Sequence, residues 1–207
     1  MRGRFITIEG GEGAGKSTMM SRVANWLESA GHRVVRTREP GGTDLAEKLR
    51  EILLDRNNIS LSDLAELLLV FAARAQHLDE LIRPALARGD WVLCDRFTDA
   101  TWAYQGGGRG LPRDEIASLE ALVHGDLQPD LTLLLDLPVE LGMERAARRS
   151  QADRFEQEST LFFKQVRDAY LERAEAAPER FAVIDASRNI DEVWSQIDSV
   201  LRKRMGS

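Results

Sequence analysis

Residues 5–18 read FITIEGGEGAGKST, and this stretch constrains the fold more than any other. Gly10, Gly15, Lys16 and Ser17 satisfy the spacing G-x-x-x-x-G-K-[ST]. An apolar, β-compatible run (Phe5, Ile6, Ile8) precedes it, and a helical pattern (Met19, Met20, Val23, Trp26, Leu27) follows it. Strand, glycine loop and helix, in that order, are the context in which this motif holds the phosphates of a nucleoside triphosphate. Glycines let consecutive backbone N–H groups curl round phosphate oxygens, and the helix N-terminus adds positive potential. Lys16 supplies a point charge for the β- and γ-phosphates, and Ser17 offers a hydroxyl to Mg²⁺. The loop Gly10, Gly11, Glu12, Gly13, Ala14, Gly15, Lys16, Ser17 and Thr18 is therefore the candidate triphosphate cradle. It specifies a ligand and leaves the reaction open.

The rest of the chain alternates strand and helix patterns. Strands are expected at 33–38, 91–94, 131–135 and 181–184, each followed by helical periodicity. Thr43 or Asp44 can cap one helix, and Ser60 or Ser62 the next. With the first strand this makes a doubly wound parallel sheet of five strands flanked by helices, in one domain spanning residues 1–207. Residues 105–110 (QGGGRG) read as a flexible loop. Residues 150–154 (SQADR) are polar and weakly patterned, a candidate mobile lid, with a helix resuming from about Phe155.

Charge and cysteine usage exclude some classes. A net charge of −6 argues against a general surface for nucleic acid or anionic membrane. The single cysteine, Cys94, allows no intramolecular disulfide, which fits a reducing cytosol. No run approaches transmembrane length, and no long apolar segment follows Arg2 and Arg4, so neither a membrane span nor a signal peptide is expected. The three histidines lack metal-ligand spacing.

Four constellations stand outside the phosphate loop. Asp95-Arg96 closes a short apolar strand, the end that faces the ligand crevice in an open parallel sheet. There a carboxylate can hold water on Mg²⁺ and a guanidinium can clamp a phosphate. Phe71 and Arg74 share a helix face, so that a ring can stack on a base while the guanidinium donates to its carbonyl. Thr101, Tyr104 and Gln105 share another, and suit a base edge and a deoxyribose. Arg145, Arg148, Arg149 and Arg154 surround the candidate lid, where phosphoryl transfer uses mobile positive charge.

Taken with the segments TREPGGT (37–43), FAARAQH (71–77), DRF (95–97), AYQGGGRG (103–110), PDLT (129–132) and DRFE (153–156), the chain resembles the bacterial thymidylate kinases over essentially its whole length. The resemblance implies the reaction ATP + dTMP → ADP + dTDP, with Mg²⁺, in a cytoplasmic homodimer. It implies that Phe71 stacks on thymine, that Arg74, Thr101 and Gln105 meet its polar edge, and that Tyr104 lies against the deoxyribose. Arg96, helped by Arg38 and Arg50 beside Glu39, would hold the acceptor phosphate. Glu9 and Asp95 would order the sugar hydroxyl and the Mg²⁺–water region, with Ser17 and Asp95 as metal contacts. Some members carry a basic residue in the phosphate loop; here that place is Glu12, so the resemblance moves the catalytic arginine to the lid (about 145–157), to Arg149 first and Arg154 next. Arg145 and Arg188 would flank adenine. Two other readings of the residues stay open: a kinase for another nucleoside monophosphate, and a non-kinase P-loop ATPase or switch. The absence of an Asn-Lys-x-Asp guanine signature disfavours the latter as a GTPase.

Overall fold

The computed structural model describes residues 2–57, 61–147, 154–155 and 158–205. Arg148, Arg149 and the stretch to 153, together with Ser60, lie outside the described residues.

The phosphate-loop strand β1 (Phe5–Glu9) is buried on both faces at the centre of a five-stranded parallel sheet. Beside it run β3 (Trp91–Asp95) and β4 (Leu131–Asp136), and outside these β2 (Val34–Arg38) and β5 (Phe181–Asp185), in the order β2-β3-β1-β4-β5. The apolar runs of β1, β3 and β4 follow from that position, since a central parallel strand is covered by helices on both sides. The edge strands β2 and β5 are only partly buried and accordingly carry polar residues. The chain winds to one side of β1 through β2 and β3, then to the other through β4 and β5. The crevice at this switch lies over the C-terminal ends of the central strands. Register places Arg38 beside Asp95, and Asp95 beside Ile8 just before Glu9, so three charged residues leave the sheet at one edge.

Helix α1 (Lys16–Ser29) starts directly from the glycine loop; α2 (Asp44–Leu54) and α3 (Asp63–His77) follow β2. Thr43 caps α2 by accepting from the Ala46 amide, and Ser62 caps α3 by accepting from the Ala65 amide, settling two of the alternatives above. A π-helical turn (Leu78–Ile82) joins α3 to the short α4 (Arg83–Ala87). Beyond β3 come α5 (Thr98–Thr101) and α6 (Arg113–His124); after β4, α7 (Val139–Ala147) and α8 (Thr160–Ala176); after β5, α9 (Ile190–Arg204), closed at its start by an Asn189–Glu192 capping box. The largest apolar cluster joins β1, β3, β4 and β5 to α1 and α9.

Two expectations are corrected. The helix after the lid begins at Thr160, not near Phe155, because Ser159 supplies the cap by accepting from the Phe162 amide. Residues 105–110 are not a flexible loop: Trp102–Gly108 form a π-helix, with the Arg109 amide bonded to the Tyr104 carbonyl at 2.9 Å. The glycines serve close approach. A Cβ on Gly107 would stand 2.7 Å from Ala169 Cβ and from the Gln165 carbonyl oxygen, and one on Gly108 would stand 2.4 Å from the Phe162 ring. Two residues without side chains thus let this helix lie against α8. The same wider turn carries Tyr104 and Gln105.

Gly107→Ala should therefore destabilise the protein by about 1–3 kcal/mol in a urea titration, as overpacking against backbone does. An unchanged midpoint would show that the helices can separate freely.

Candidate active site

The phosphate loop closes because glycine tolerates what it demands. Gly13 has φ 71°, and a Cβ there would sit 2.2 Å from the Gly142 carbonyl oxygen of α7. Gly15, at φ 90°, makes the left-handed entry into α1. Lys16 Nζ donates to the carbonyls of Gly10 (3.1 Å) and Gly11 (3.0 Å), so the ammonium bridges the loop. Burial lowers the Lys16 pKa, and neighbouring Arg96 adds to the effect, against the pull of Glu12, Asp95 and Glu9.

Arg96 follows Asp95 directly at the end of β3 and holds φ 70°, the one described non-glycine residue in the left-handed region. Such a conformation costs about 1 kcal/mol or more in a side-chain-bearing residue and persists where surroundings fix it. Here its amide donates to the Ile8 carbonyl at 3.0 Å, and the Cys94 thiol donates to its carbonyl. Its guanidinium is aimed over the phosphate loop. It donates to Glu12 Oε1 (2.7 Å) and to the Tyr170 hydroxyl (3.1 Å), and stands 4.7 Å from the Tyr104 ring centroid. Tyr104 also donates to Glu12 (2.9 Å). Burial opposes ionisation of Glu12, but Arg96 and then Lys16 outweigh it and hold its carboxyl below the usual range.

Beneath this layer Tyr170 donates to Glu9 Oε2 (2.8 Å), and the Phe97 amide donates to Glu9 Oε1 (2.7 Å). Glu9 is wholly buried; burial, then Asp99, push its pKa up to about 8 against Arg96, Tyr170 and the Phe97 amide. The resemblance implies that Glu9, with Asp95, orders the sugar hydroxyl and the Mg²⁺–water region; the structure gives its two oxygens these protein partners.

The other end of the site rests on α3. Arg74, 2% exposed, donates through Nε to Glu39 (2.7 Å) and through Nη2 to Thr101 Oγ1 (2.9 Å) and the Phe97 carbonyl (3.2 Å). Glu39 is also bonded to His77, which reaches Thr37 in turn. Burial opposes the charge on Glu39, and Arg74 and His77 overcome it, so its pKa falls. Phe71 lies under Arg74, 4.9 Å from ring centroid to guanidinium, and packs with Leu67 and Ile116. Gln105 donates to Glu66 (2.8 Å).

These two ends face one cavity of about 230 Å³. Its wall includes the loop from Glu12 to Ser17, Arg38, Glu39, Arg50, Arg74, Asp95, Arg96, Thr101, Tyr104, Gln105 and Phe155. Five cationic side chains and three carboxylates line it, an excess of positive charge suited to a phosphate dianion. Arg50 donates to the Pro40 carbonyl (2.8 Å), across the cis Glu39–Pro40 turn, and Arg38 pairs with Glu47 (2.9 Å). Among the described residues, two buried polar atoms of side chains on this wall have no hydrogen-bond partner: Arg74 Nη1 and Asp95 Oδ1. One is a donor at the α3 end and the other an acceptor at the loop end.

The structure thus brings Lys16, Asp95, Arg96, Arg38, Arg50, Arg74, Thr101, Tyr104 and Gln105 to one cavity. Ser17 joins them, and Thr18 follows it on the exposed start of α1. Phe71 sits behind that wall. Arg145 lies apart, donating to the carbonyls of Ala186 (2.9 Å) and Ser187 (3.3 Å), next to Arg188, whose partner is Asp185 (2.9 Å). Arg154 is buried in a polar cluster, donating to Glu66 (2.5 Å) and the Leu53 carbonyl (2.8 Å). Three residues escaped sequence reasoning. No local pattern singles out Tyr170 on α8 or Glu66 on α3. Phe155, which walls the cavity edge-on to Tyr104 (5.8 Å), reads as the first residue of a helix.

A family model described as thymidylate kinase matches residues 8–197. The chain is 61% identical to the thymidylate kinase of Chromohalobacter salexigens, over 99% of this chain and 98% of that one. It is 59% identical to that of Pseudomonas syringae pv. tomato, over 97% and 96%. The crystal structure of thymidylate kinase from Ehrlichia chaffeensis superposes with a TM-score of 0.80 at 34% identity, covering 98% of this chain and 99% of that one.

Two outcomes follow from this geometry. Between pH 4.5 and 8 the folded protein keeps a proton on Glu9 that the unfolded chain has released, so folding stability falls as pH rises through that window. Glu9→Gln should flatten this slope in denaturation curves taken at several pH values; parallel curves for the two proteins would contradict the raised pKa. At Arg96, the glycine variant should be more stable than the alanine variant by about 1 kcal/mol, since only alanine retains the φ penalty.

Proposed function

Since the chain belongs to the thymidylate kinase family, we propose that its reaction, the phosphorylation of dTMP, takes place in the cavity between the phosphate loop and α3, with ATP as donor and Mg²⁺ bound. The observation that carries the reading is the pair of unpartnered buried atoms on one wall. An uncompensated buried polar group costs about 1–3 kcal/mol, so a ligand that satisfies both would remove that cost. Arg74 Nη1 suits a pyrimidine carbonyl, with Thr101 and Gln105 beside it. Asp95 Oδ1 suits a water on the metal.

The donor triphosphate belongs on the loop from Gly10 to Thr18, its adenine towards Arg145 and Arg188. Ser17 and Asp95 would hold Mg²⁺, a donor set suited to an ion that keeps several waters and takes phosphate oxygens as its remaining ligands. When bound, the ion would supply charge neutralisation to the triphosphate. Arg96, with Arg38 and Arg50, holds the acceptor phosphate; Tyr104 packs against the deoxyribose, and Phe71 stacks on the base. An oxygen of the dTMP phosphate, ionised at neutral pH, forms the new bond to the γ-phosphorus as the bond to the ADP oxygen breaks. No strong base is required, and positioning plus charge neutralisation carry the rate. Lys16 must leave the loop carbonyls to meet the triphosphate. With Glu12 in the phosphate loop, the remaining transition-state charge is assigned to the lid, to Arg149 first and to Arg154 next. We assign the whole chain to one kinase domain acting in the cytoplasm as a homodimer. No described helix is long and apolar enough to cross a membrane. Leu64 and Leu68 on α3, each about half exposed, are apolar surface that a second copy would cover.

ADP release should be fast with dTMP, slower with dUMP and slowest with dCMP or UMP; equal rates across this panel would move the specificity elsewhere. Lys16→Ala should abolish turnover. Arg149→Ala should lower kcat by roughly 10²–10³ with little change in dTMP affinity. An unchanged kcat would transfer that role to Arg148 or Arg154.

A further inference from the structure

Glu66 lies on α3, 1% exposed, and does not border the cavity. Its carboxylate nevertheless accepts from three separate parts of the chain: Gln105 Nε2 of the π-helix (2.8 Å), Arg109 Nε and Nη2 (both 3.3 Å), and Arg154 Nη2 (2.5 Å). Arg109 has a second acid partner in Glu158 (2.6 Å), and Arg154 also donates to the Leu53 carbonyl. The Arg154 guanidinium stands 4.5 Å from the centroid of Phe155, which walls the cavity.

An ionised carboxylate accepts and cannot donate. Gln105 can therefore turn only its amino group towards Glu66. Its carbonyl oxygen is then the part of the amide left for a ligand, and Gln105 does border the cavity. A side-chain amide is a two-ended group whose direction is decided by its neighbours. The neighbour here is a buried anion fixed by two guanidiniums.

We propose that Glu66 is a positioning residue for base selection: by holding the amino group of Gln105 it presents the carbonyl oxygen to the base, and so selects a pyrimidine that carries N3–H over one with a bare N3 lone pair. Thymine and uracil have that proton and cytosine lacks it. The inference rests on the placement of the base beside Gln105 given above, and adds what sets the polarity of that contact. The same carboxylate anchors Arg154, and with it the Phe155 wall, so base choice and the shape of the pocket share one anion.

Glu66→Gln gives the sharpest test. Its single carbonyl oxygen is claimed by Arg109 and Arg154, leaving its amino group facing Gln105. Gln105 then turns its carbonyl away from the cavity and offers an amino group to the base. The ratio of kcat/KM for dTMP over dCMP should fall at least tenfold in this variant, and return to within about threefold of the original in Glu66→Asp. The ratio of the two dissociation constants, measured by calorimetry on protein shown to be folded by circular dichroism, should move the same way. Equal losses for both nucleotides would make Glu66 a purely structural residue and overturn the proposal. Gln105→Ala separates the two layers of the argument: if it leaves the ratio unchanged, the base does not lie at Gln105 and the underlying placement fails. If it changes the ratio while Glu66→Gln does not, only the present inference fails. A measurement on the unaltered protein bound to dTMP needs no variant to fold. The Gln105 side-chain amino protons should show nuclear Overhauser contacts to α3 at Glu66 and none to the thymine ring; the opposite pattern would refute it.

Discussion

The charge on Arg96 is the quantity the rest of the site is arranged to balance. Its backbone is held in a conformation that costs energy, at the end of a central strand, so that one guanidinium can stand over the phosphate loop. Around it are a carboxylate in front (Glu12), a phenol behind (Tyr170), a ring at its flank (Tyr104) and a second carboxylate one bond further down (Glu9). Any phosphate that reaches Arg96 meets donors already engaged by Glu12, and must compete with an anion tethered to the loop itself. The exchange of one anion for another keeps the buried guanidinium compensated throughout. An uncompensated buried charge would cost several kcal/mol.

The two carboxylates of that chain are in opposite condition for a plain reason. Glu12 touches two donors with full or partial positive charge and has Lys16 nearby, so it is held ionised. Glu9 lies deeper, shares the Tyr170 hydroxyl with Arg96, and has the Asp99 carboxylate as company. Burial raises both phenols well above their usual range, so Tyr104 and Tyr170 remain neutral donors. Arginine elsewhere in the cavity keeps its charge at ordinary pH, whereas burial lowers the pKa of a lysine, as at Lys16.

How much of this could be read from the chain depends on the range of the interaction. Short-range features were legible: the glycine spacing of the loop, the helix starts at Thr43 or Asp44 and at Ser60 or Ser62, the burial of β3, and Asp95-Arg96 at its end. Each is decided within a few residues. The family resemblance added the membership of the cavity, including Arg38 and Arg50, which no local pattern would single out. What stayed hidden joins distant segments. Tyr170 meets Glu9 across 161 positions of sequence and Arg154 meets Glu66 across 88, and helical periodicity reports a buried face without naming its occupant. The glycines after Gln105 misled for a related reason. Glycine marks either freedom or close approach, and only the position of α8 decides between them.

Cys94 gives the central sheet a further property. Its sulfur is fully enclosed in β3, bonded to the Arg96 carbonyl, and burial raises its pKa well above that of a free thiol. Alkylating reagents attack the thiolate, so this group stays inert until the strand beneath Arg96 comes away from its neighbours. The lone sulfhydryl is thereby a clock for that event: its labelling rate in a folded sample counts how often the middle of the molecule opens, and a nucleotide gripped by Arg96 should slow the count.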